Sequence, residues 1–216
     1  DYVLAHTNAS FIVSEEFGFA DGLFAGFDEA AQGYDKTAWD YERGLDGFVR
    51  RDQTLEHPRC VFQLLRKHYE RYTPEIAAQI SGCSVEDFLR MAKIVCSTGR
   101  ADRVGTIMYA VGWTMHTVGS QIIRTGAIFQ LLLGNIGRPG GGINALRGHA
   151  NVQGATDHAV VAGILPGYLK VPTPEQQSFE THLNDSTPRP LVPAAVNYWG
   201  NYPKFYVSLM KAWFGE

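Results

Sequence analysis

Three scarcities narrow what this chain can be. It has only three cysteines in 216 residues, Cys60, Cys83 and Cys96, spaced 23 and 13 apart with no C-x-x-C pair. A zinc or iron–sulfur site built by this chain alone is therefore not expected, and the three read as small residues buried in helices. It has no surplus of positive charge: 19 Lys and Arg stand against 22 Asp and Glu, a formal net of −3. A nucleic-acid protein needs basic residues for its phosphate contacts, so that class is disfavoured. It also lacks a long apolar run. GAIFQLLLG (126–134) is interrupted by Gln130 and bounded by glycines, short of the roughly 18–20 residues that cross a bilayer. The opening DYVLAHTNASFIV has no initiator Met, basic region or apolar leader; it reads as a cut end and carries no signal of compartment. Repeats and low-complexity tracts are absent too.

What is present suits a globular chain. An apolar fraction of 45% can build a core, in one large domain or parts of two. Residues 1–50 are rich in aromatics and glycine with poor alternation, which predicts an ordered but irregular excursion. Its Phe, Tyr and Trp side chains need a surface to pack on, expected from other parts of a larger protein. Residues 60–97 carry helical periodicity. Val61, Leu64, Leu65 and His68 share one face. Thr73 is the expected N-cap of a helix with Pro74 at its first position and Gly82 near its end. Ser84, with Asp87 three residues on, opens another helix that Gly99 closes.

RVGTIMYAVG (103–112) is a short apolar run between turn signals, as in a strand buried in a parallel sheet. The following stretch becomes helical and ends at Gly134. Strand, glycine, loop, helix is the order that presents backbone amides to an anionic nucleotide group. It is weak evidence alone, because the spacing is not G-x-G-x-x-G. Beyond Pro166 six further prolines, from Pro172 to Pro203, predict extended or looped chain, with a helical pattern starting only at SLMKAWFGE.

The stretch of most chemical interest is GGGINALRGHANVQGATDH (140–158). Seven glycines fall between positions 134 and 154, allowing positive φ and close approach to the main chain. Within it Arg147 can grip a carboxylate or phosphate through two parallel hydrogen bonds. Asn144, His149, Asn151 and Gln153 add further donors and acceptors. The opposing reading is an arginine salt-bridged to an acidic neighbour in a structural loop, and the residues alone leave both open.

The segment YAVGWTMHTVGSQIIRTGAIFQLLLGNIGRPGGGINALRGHANVQGATDHAVVAGILPGYL (109–169) resembles molybdenum- or tungsten-dependent formate dehydrogenases of the dimethyl-sulfoxide-reductase superfamily. The likeness is greatest to large catalytic subunits of the respiratory, periplasmic type. TNASFIV, DGLFAGFDE and YDKTAWDYE share it, so it covers nearly the whole chain. The resemblance implies an α/β fold: a Rossmann-like parallel-sheet portion over residues 1–149, then the start of a second, discontinuous α/β domain over 150–216. It implies a metal held by two molybdopterin guanine dinucleotides, with Arg147 beside the metal as the substrate-binding residue.

For His149 the resemblance leaves either a pterin or proton-guiding role, or a structural one. It places Gly112, Trp113, Thr114, Met115 and His116 along one pterin dinucleotide, and Gly148, Asn151 and Gln153 at the cofactor as well. Met115 departs from the pattern, since relatives commonly carry glutamine there, and an amide contact is put in doubt. A four-cysteine motif for a [4Fe-4S] cluster, and the selenocysteine or cysteine metal ligand, are implied outside these residues; no metal ligand is expected from this chain. Implied partners are formate, the remainder of the catalytic subunit and an iron–sulfur electron-transfer subunit, in anaerobic respiratory electron transport. Two alternatives remain at this point: a related oxidoreductase with a different oxyanion substrate, and a non-catalytic cofactor-binding or assembly fragment.

Overall fold

The computed structural model describes residues 1–20, 23–160, 163–193, 195 and 197–215. Asp21 and Gly22, which open the DGLFAGFDE element, and Val161 and Ala162, within the 109–169 segment, lie outside them. The chain forms two compact units, Asp1–Leu146 and Arg147–Glu216.

The first unit begins with a short helix α1 (Tyr2–His6) and two small antiparallel hairpins, β1 (Phe19–Ala20) with β2 (Leu23–Phe24) and β3 (Phe27–Asp28) with β4 (Gly33–Tyr34). Ahead of the hairpins, Ala9–Val13 is a buried segment that leaves a turn at Ala9 and Ser10 and is bridged antiparallel from Phe11, Ile12 and Val13 to Arg51, Cys60 and Tyr41. Helices α2 (Val61–Tyr69), α3 (Pro74–Ser81) and α4 (Val85–Cys96) follow. The caps of α3 and the N-cap of α4 form as the sequence predicts, but the C-cap of α4 is Ser97 rather than Gly99. Thr73 accepts from the Ile76 N–H and Gly82 takes the left-handed conformation (φ 79°). Ser84 accepts from the Asp87 N–H at 3.0 Å.

Part of the aromatic excursion packs against itself. Phe17, Phe24, Tyr34 and Trp39 contact one another, with ring centroids 5.3 to 6.4 Å apart. The Trp39 indole donates to the Ala25 carbonyl at 2.9 Å. The predicted apolar face of α2 turns to this cluster: Val61, Leu64, Leu65 and His68 line an apolar groove of about 450 Å3 together with Phe17 and Trp39. Of the cysteine expectation only the burial of Cys60 holds: it lies in extended chain just before α2 rather than in a helix, and Cys83 and Cys96 are exposed, in a loop and at a helix end.

The centre of this unit is a β-α-β arrangement. Strand β5 (Thr106–Tyr109) leads through one turn of helix, α5 (Val111–Thr114), into α6 (Gly119–Leu133) and back to β6 (Gly142–Ala145). The strands are parallel, with Thr106 opposite Gly142 and Tyr109 opposite Ala145, so the chain is α/β. Gly134 ends α6 in the left-handed conformation (φ 77°). The strand is not buried as expected: alternate residues face out and Met108 is 64% exposed.

Gln130, read from sequence as a break in an apolar run, is a buried fastener. Its side-chain amide donates to the carbonyls of Gly105 (3.1 Å) and Gly142 (2.7 Å), and its oxygen accepts from Asn135 (2.8 Å). Asn135 in turn bonds Thr98 (2.9 Å) and accepts from the Gly105 N–H (3.0 Å). Two buried amides thus tie α6 to the amino ends of both strands with their hydrogen-bonding groups paired, as burial of such groups requires.

The second unit contains α7 (Val152–Asp157), a hairpin of β7 (Ile164–Leu165) and β8 (Leu169–Lys170), α8 (Phe179–Ser186) and α9 (Tyr202–Phe214). Its core is Leu169, Tyr202 and Tyr206, packed with Leu165, Leu183 and Leu209. His182 is buried, bonded to Gln176 (2.8 Å) and to the Tyr202 hydroxyl (3.0 Å). Burial and the nearby Lys170 charge push its pKa below the ordinary histidine value.

Prolines hid the helices of this unit. Pro203 sits in the first turn of α9, where its missing N–H costs nothing. The helix starts well before the pattern at SLMKAWFGE. Helix α8, unforeseen, is capped by Ser178, which accepts from Thr181 at 3.0 Å.

Candidate functional site

In parallel α/β sheets, ligands bind outside the carboxyl ends of the strands. Both candidate stretches leave those ends. Register sets Tyr109 against Ala145, and the Leu146 N–H donates to the Tyr109 carbonyl at 2.7 Å. One stretch runs on through Gly112–His116; the other continues from Leu146 to Arg147.

In the first unit Gly112 is exposed, and a Cβ there would meet only open space. Trp113 stacks on Tyr109 with centroids 5.5 Å and planes 18° apart. It also lies against α6, where a Cβ on Gly126 would fall 2.9 Å from the ring. The indole is therefore a strut beneath the loop, and the Trp113 N–H is donated to the Ala110 carbonyl at 3.2 Å. Thr114 is exposed, its hydroxyl 3.5 Å from the Ala110 carbonyl. Met115 is 79% exposed, with its N–H donated to Val111 at 2.9 Å. The His116 ring closes the same turn through a 3.0 Å bond from Nε2 to the Gly112 carbonyl; with a carbonyl acceptor, Nε2 must carry the proton. Helix α6 starts directly against this turn, since a Cβ on Gly119 would come 2.8 Å from the carbonyls of Trp113 and Thr114.

In the second unit Arg147 is exposed, and among the described residues it has neither a hydrogen bond nor an ion pair. The structural salt bridge weighed above is not formed there. Gly148 is exposed with open space around its α-carbon. Among the described residues the His149 ring bonds only to the adjacent Ala150 carbonyl (2.8 Å). Asn151 is left-handed (φ 56°) at the start of α7, without a side-chain capping bond. Its amide lies over Gly154, where a Cβ would come 2.1 Å from the Asn151 oxygen. Gln153 is exposed. Sequence reasoning passed over Asp157 and Tyr168: the tyrosine hydroxyl donates to the Asp157 carboxylate at 2.5 Å. No local motif announces a bond between residues eleven apart across a helix and a hairpin.

The donor set fits the organic part of a dinucleotide cofactor better than it fits a metal. The exposed, glycine-containing turn at the carboxyl end of a parallel strand, running into α6, leaves room for a polar ligand to approach. Among the described residues no three His, Cys, Asp or Glu side chains are grouped to hold a metal. Cys96 stands two residues from Thr98, which is bonded to Asn135 at the amino ends of the strands, away from the turn. No described helix is long and apolar enough to cross a membrane.

No family model matches the chain. Curated relatives do. The formate dehydrogenase-O major subunit of Escherichia coli (strain K12) is 51% identical over all 216 residues of this chain, which correspond to 21% of that protein. Formate dehydrogenase 2 subunit alpha (cytochrome c-553) of Nitratidesulfovibrio vulgaris is 50% identical over the same 216 residues, again 21% of its length. The F420-dependent formate dehydrogenase 1 subunit alpha of Methanococcus maripaludis is 36% identical over 119 residues, 55% of this chain and 17% of that protein. Over its whole length the chain is similar to a segment of formate dehydrogenase major and alpha subunits. It spans about a fifth of the length of the curated relatives it matches over its whole length.

Proposed function

We propose that these residues are the substrate-arginine segment of a formate dehydrogenase catalytic subunit that carries molybdenum or tungsten on two molybdopterin guanine dinucleotides. The observation that carries this reading is Arg147: an exposed guanidinium without a partner among the described residues, two residues beyond β6, in a chain about half identical to formate dehydrogenase major subunits. Formate is the smallest carboxylate. A guanidinium holds it through two parallel hydrogen bonds, which fixes the plane of the anion and the direction of its C–H bond. Oxidation releases CO2, a proton and two electrons; the bound cofactor supplies the two-electron acceptor. Arg147 supplies charge, orientation and exclusion of competing poses.

Gly112–His116 would border one dinucleotide on the exposed side of the turn. Gly148, Asn151 and Gln153 would border the cofactor from the second unit. His149 is exposed beside them, and its neighbour-only bond leaves Nε2 open for a pterin contact or a proton. The metal ligand and a [4Fe-4S] cluster belong, on this reading, to other parts of the subunit, and the electrons pass to an iron–sulfur partner subunit at the periplasmic face. The assignment of residues 1–149 and 150–216 to two discontinuous domains is part of the same proposal.

The test is elemental analysis of the anaerobically purified native enzyme together with formate-dependent reduction of an artificial electron acceptor. About one Mo or W per catalytic subunit with formate turnover is expected. Metal-free enzyme with full formate turnover would contradict the proposal.

A further inference from the structure

We propose that His182 is a proton-operated clasp of the second unit: as a neutral ring it ties α8 to α9 and β8 through one directional chain of hydrogen bonds, and a proton taken up on acidification reverses a link of that chain and loosens these elements. The inference does not rest on the reading of Arg147. Of the seven histidines His182 alone is buried, at 2% exposure.

The partners of the ring fix where its hydrogen sits. Gln176 Nε2 donates to the Asp185 carboxylate at 3.1 Å, and an ionised carboxylate only accepts. The Gln176 oxygen therefore faces the other way, where it accepts from the Thr173 N–H (3.1 Å) and lies 2.8 Å from His182 Nδ1. Nδ1 must carry the hydrogen. Nε2 of the neutral ring is then an acceptor, and the Tyr202 hydroxyl 3.0 Å away donates to it. The tyrosine oxygen in turn accepts from the Lys170 N–H at 3.2 Å. Donors thus run one way, from β8 through α9 to α8 and on to the 173–176 turn.

A second ring proton sets Nε2–H against the Tyr202 O–H, two donors face to face. The hydroxyl must turn away, and the acceptor left to it among the described residues is the Lys170 carbonyl at 3.5 Å, a poor hydrogen-bond distance. The ring also becomes a buried cation. Around it stand the Lys170 charge on β8, the rings of Tyr202 and Tyr206 on α9, the neutral Gln176 and, on its own helix, the Asp185 carboxylate. Burial and Lys170 disfavour the cation and Asp185 opposes them. Tyr206 brings no negative charge, because burial raises its pKa above the ordinary tyrosine value.

An unfolded histidine takes its proton near pH ~6.5. The folded ring takes it at lower pH, so the unfolded chain binds more protons as the medium acidifies. The clasp's contribution is complete above about pH 6.5 and is lost as pH falls toward the folded value.

Hydrogen exchange of the complete catalytic subunit, followed by mass spectrometry between about pH 5 and about pH 8 and expressed as protection over the unstructured rate at each pH, reads the clasp. In the parent, peptides of β8, α8 and α9 should keep constant protection above about pH 6.5 and lose up to roughly 10-fold per pH unit below it, the limit set by one proton. Peptides of β5 and β6 should hold theirs. His182→Gln keeps a polar side chain without a titrating group, and protection in the three elements should change less than about 2-fold over the range. Gln176→Glu sets a carboxylate against Nδ1–H and gives the cation a partner, so the total fall should shrink at least about 3-fold.

Parent protection that stays level below pH ~6.5 overturns the proposal. So does a fall in His182→Gln as steep as the parent's, or a fall shared equally by β5 and β6, which marks general acid unfolding. If His182→Gln has already lost protection of α8 and α9 at the alkaline end, Gln176→Glu decides: a fall as steep as the parent's in that variant overturns the proposal.

Discussion

Replacing Gln130 by leucine tests whether the buried amide pair holds the parallel strands in place. Gln130 is 1% exposed in the last turn of α6. Leucine fills a similar volume but makes none of its three hydrogen bonds, two donated to Gly105 and Gly142 and one accepted from Asn135. Each such bond contributes about 0.5–1.5 kcal/mol net, and buried groups left without a partner add to the loss. Two features limit the damage: Gly142 keeps a 3.3 Å bond from the Thr106 hydroxyl and Asn135 keeps Thr98. A loss of about 3 kcal/mol follows, or roughly 10²-fold in the equilibrium for local opening. Hydrogen exchange followed by mass spectrometry on the whole subunit reads this directly. Peptides covering β5 and β6 should exchange roughly 10²-fold faster in Gln130→Leu, while peptides of α9 keep their parent rates. Acceleration below about 3-fold would show that the strands are held by something other than these amides.

Two further outcomes follow from local geometry. Gly99 and Gly137 both have positive φ, at 89° and 82°, but a Cβ on Gly99 would stand 1.7 Å from the Leu133 carbonyl oxygen whereas Gly137 faces open space. Gly137→Ala should cost about 1 kcal/mol of backbone strain; Gly99→Ala should cost several times more, seen as a far larger drop in the apparent melting temperature, and equal drops would refute the close approach. Asp52 accepts from the backbone N–H groups of Thr54, Glu56 and His57 and from the Thr54 hydroxyl, which together lower its pKa to about 2. An unfolded aspartate titrates near 3.9. The folded value is the lower one, so this contribution is complete above about pH 4 and is lost as pH falls toward about 2. Protection of the Glu56 and His57 amides should fall across that window in the parent protein and stay low throughout in Asp52→Asn.

Local signals were legible and distant ones were not. Thr73, Pro74 and Gly82 bound α3 through contacts within a few residues, so the sequence pattern and the structure agree there. The same holds for Ser84 with Asp87 and for Gly134 after α6. Gln130 was misread because its partners at 105, 135 and 142 lie on other elements, and in a linear pattern a polar residue in an apolar run looks like an interruption. Proline density concealed α9, since a proline in a first turn looks the same in sequence as one that breaks a helix. The display of Arg147 was legible in its glycine-rich surroundings. Its lack of an ion pair among the described residues was not, because pairing depends on how the loop folds and not on the local sequence.

The most direct test of the account is Arg147→Lys in the complete enzyme, scored by formate kcat/KM and by metal content in the same preparation. Lysine keeps the charge and loses the two-pronged grip. The expected result is a fall in kcat/KM of roughly 10²-fold or more, the equivalent of about 2.7 kcal/mol of orientation and binding, with Mo or W content unchanged. Parallel loss of metal would show that Arg147 builds the cofactor pocket, and unchanged turnover would remove it from the substrate site.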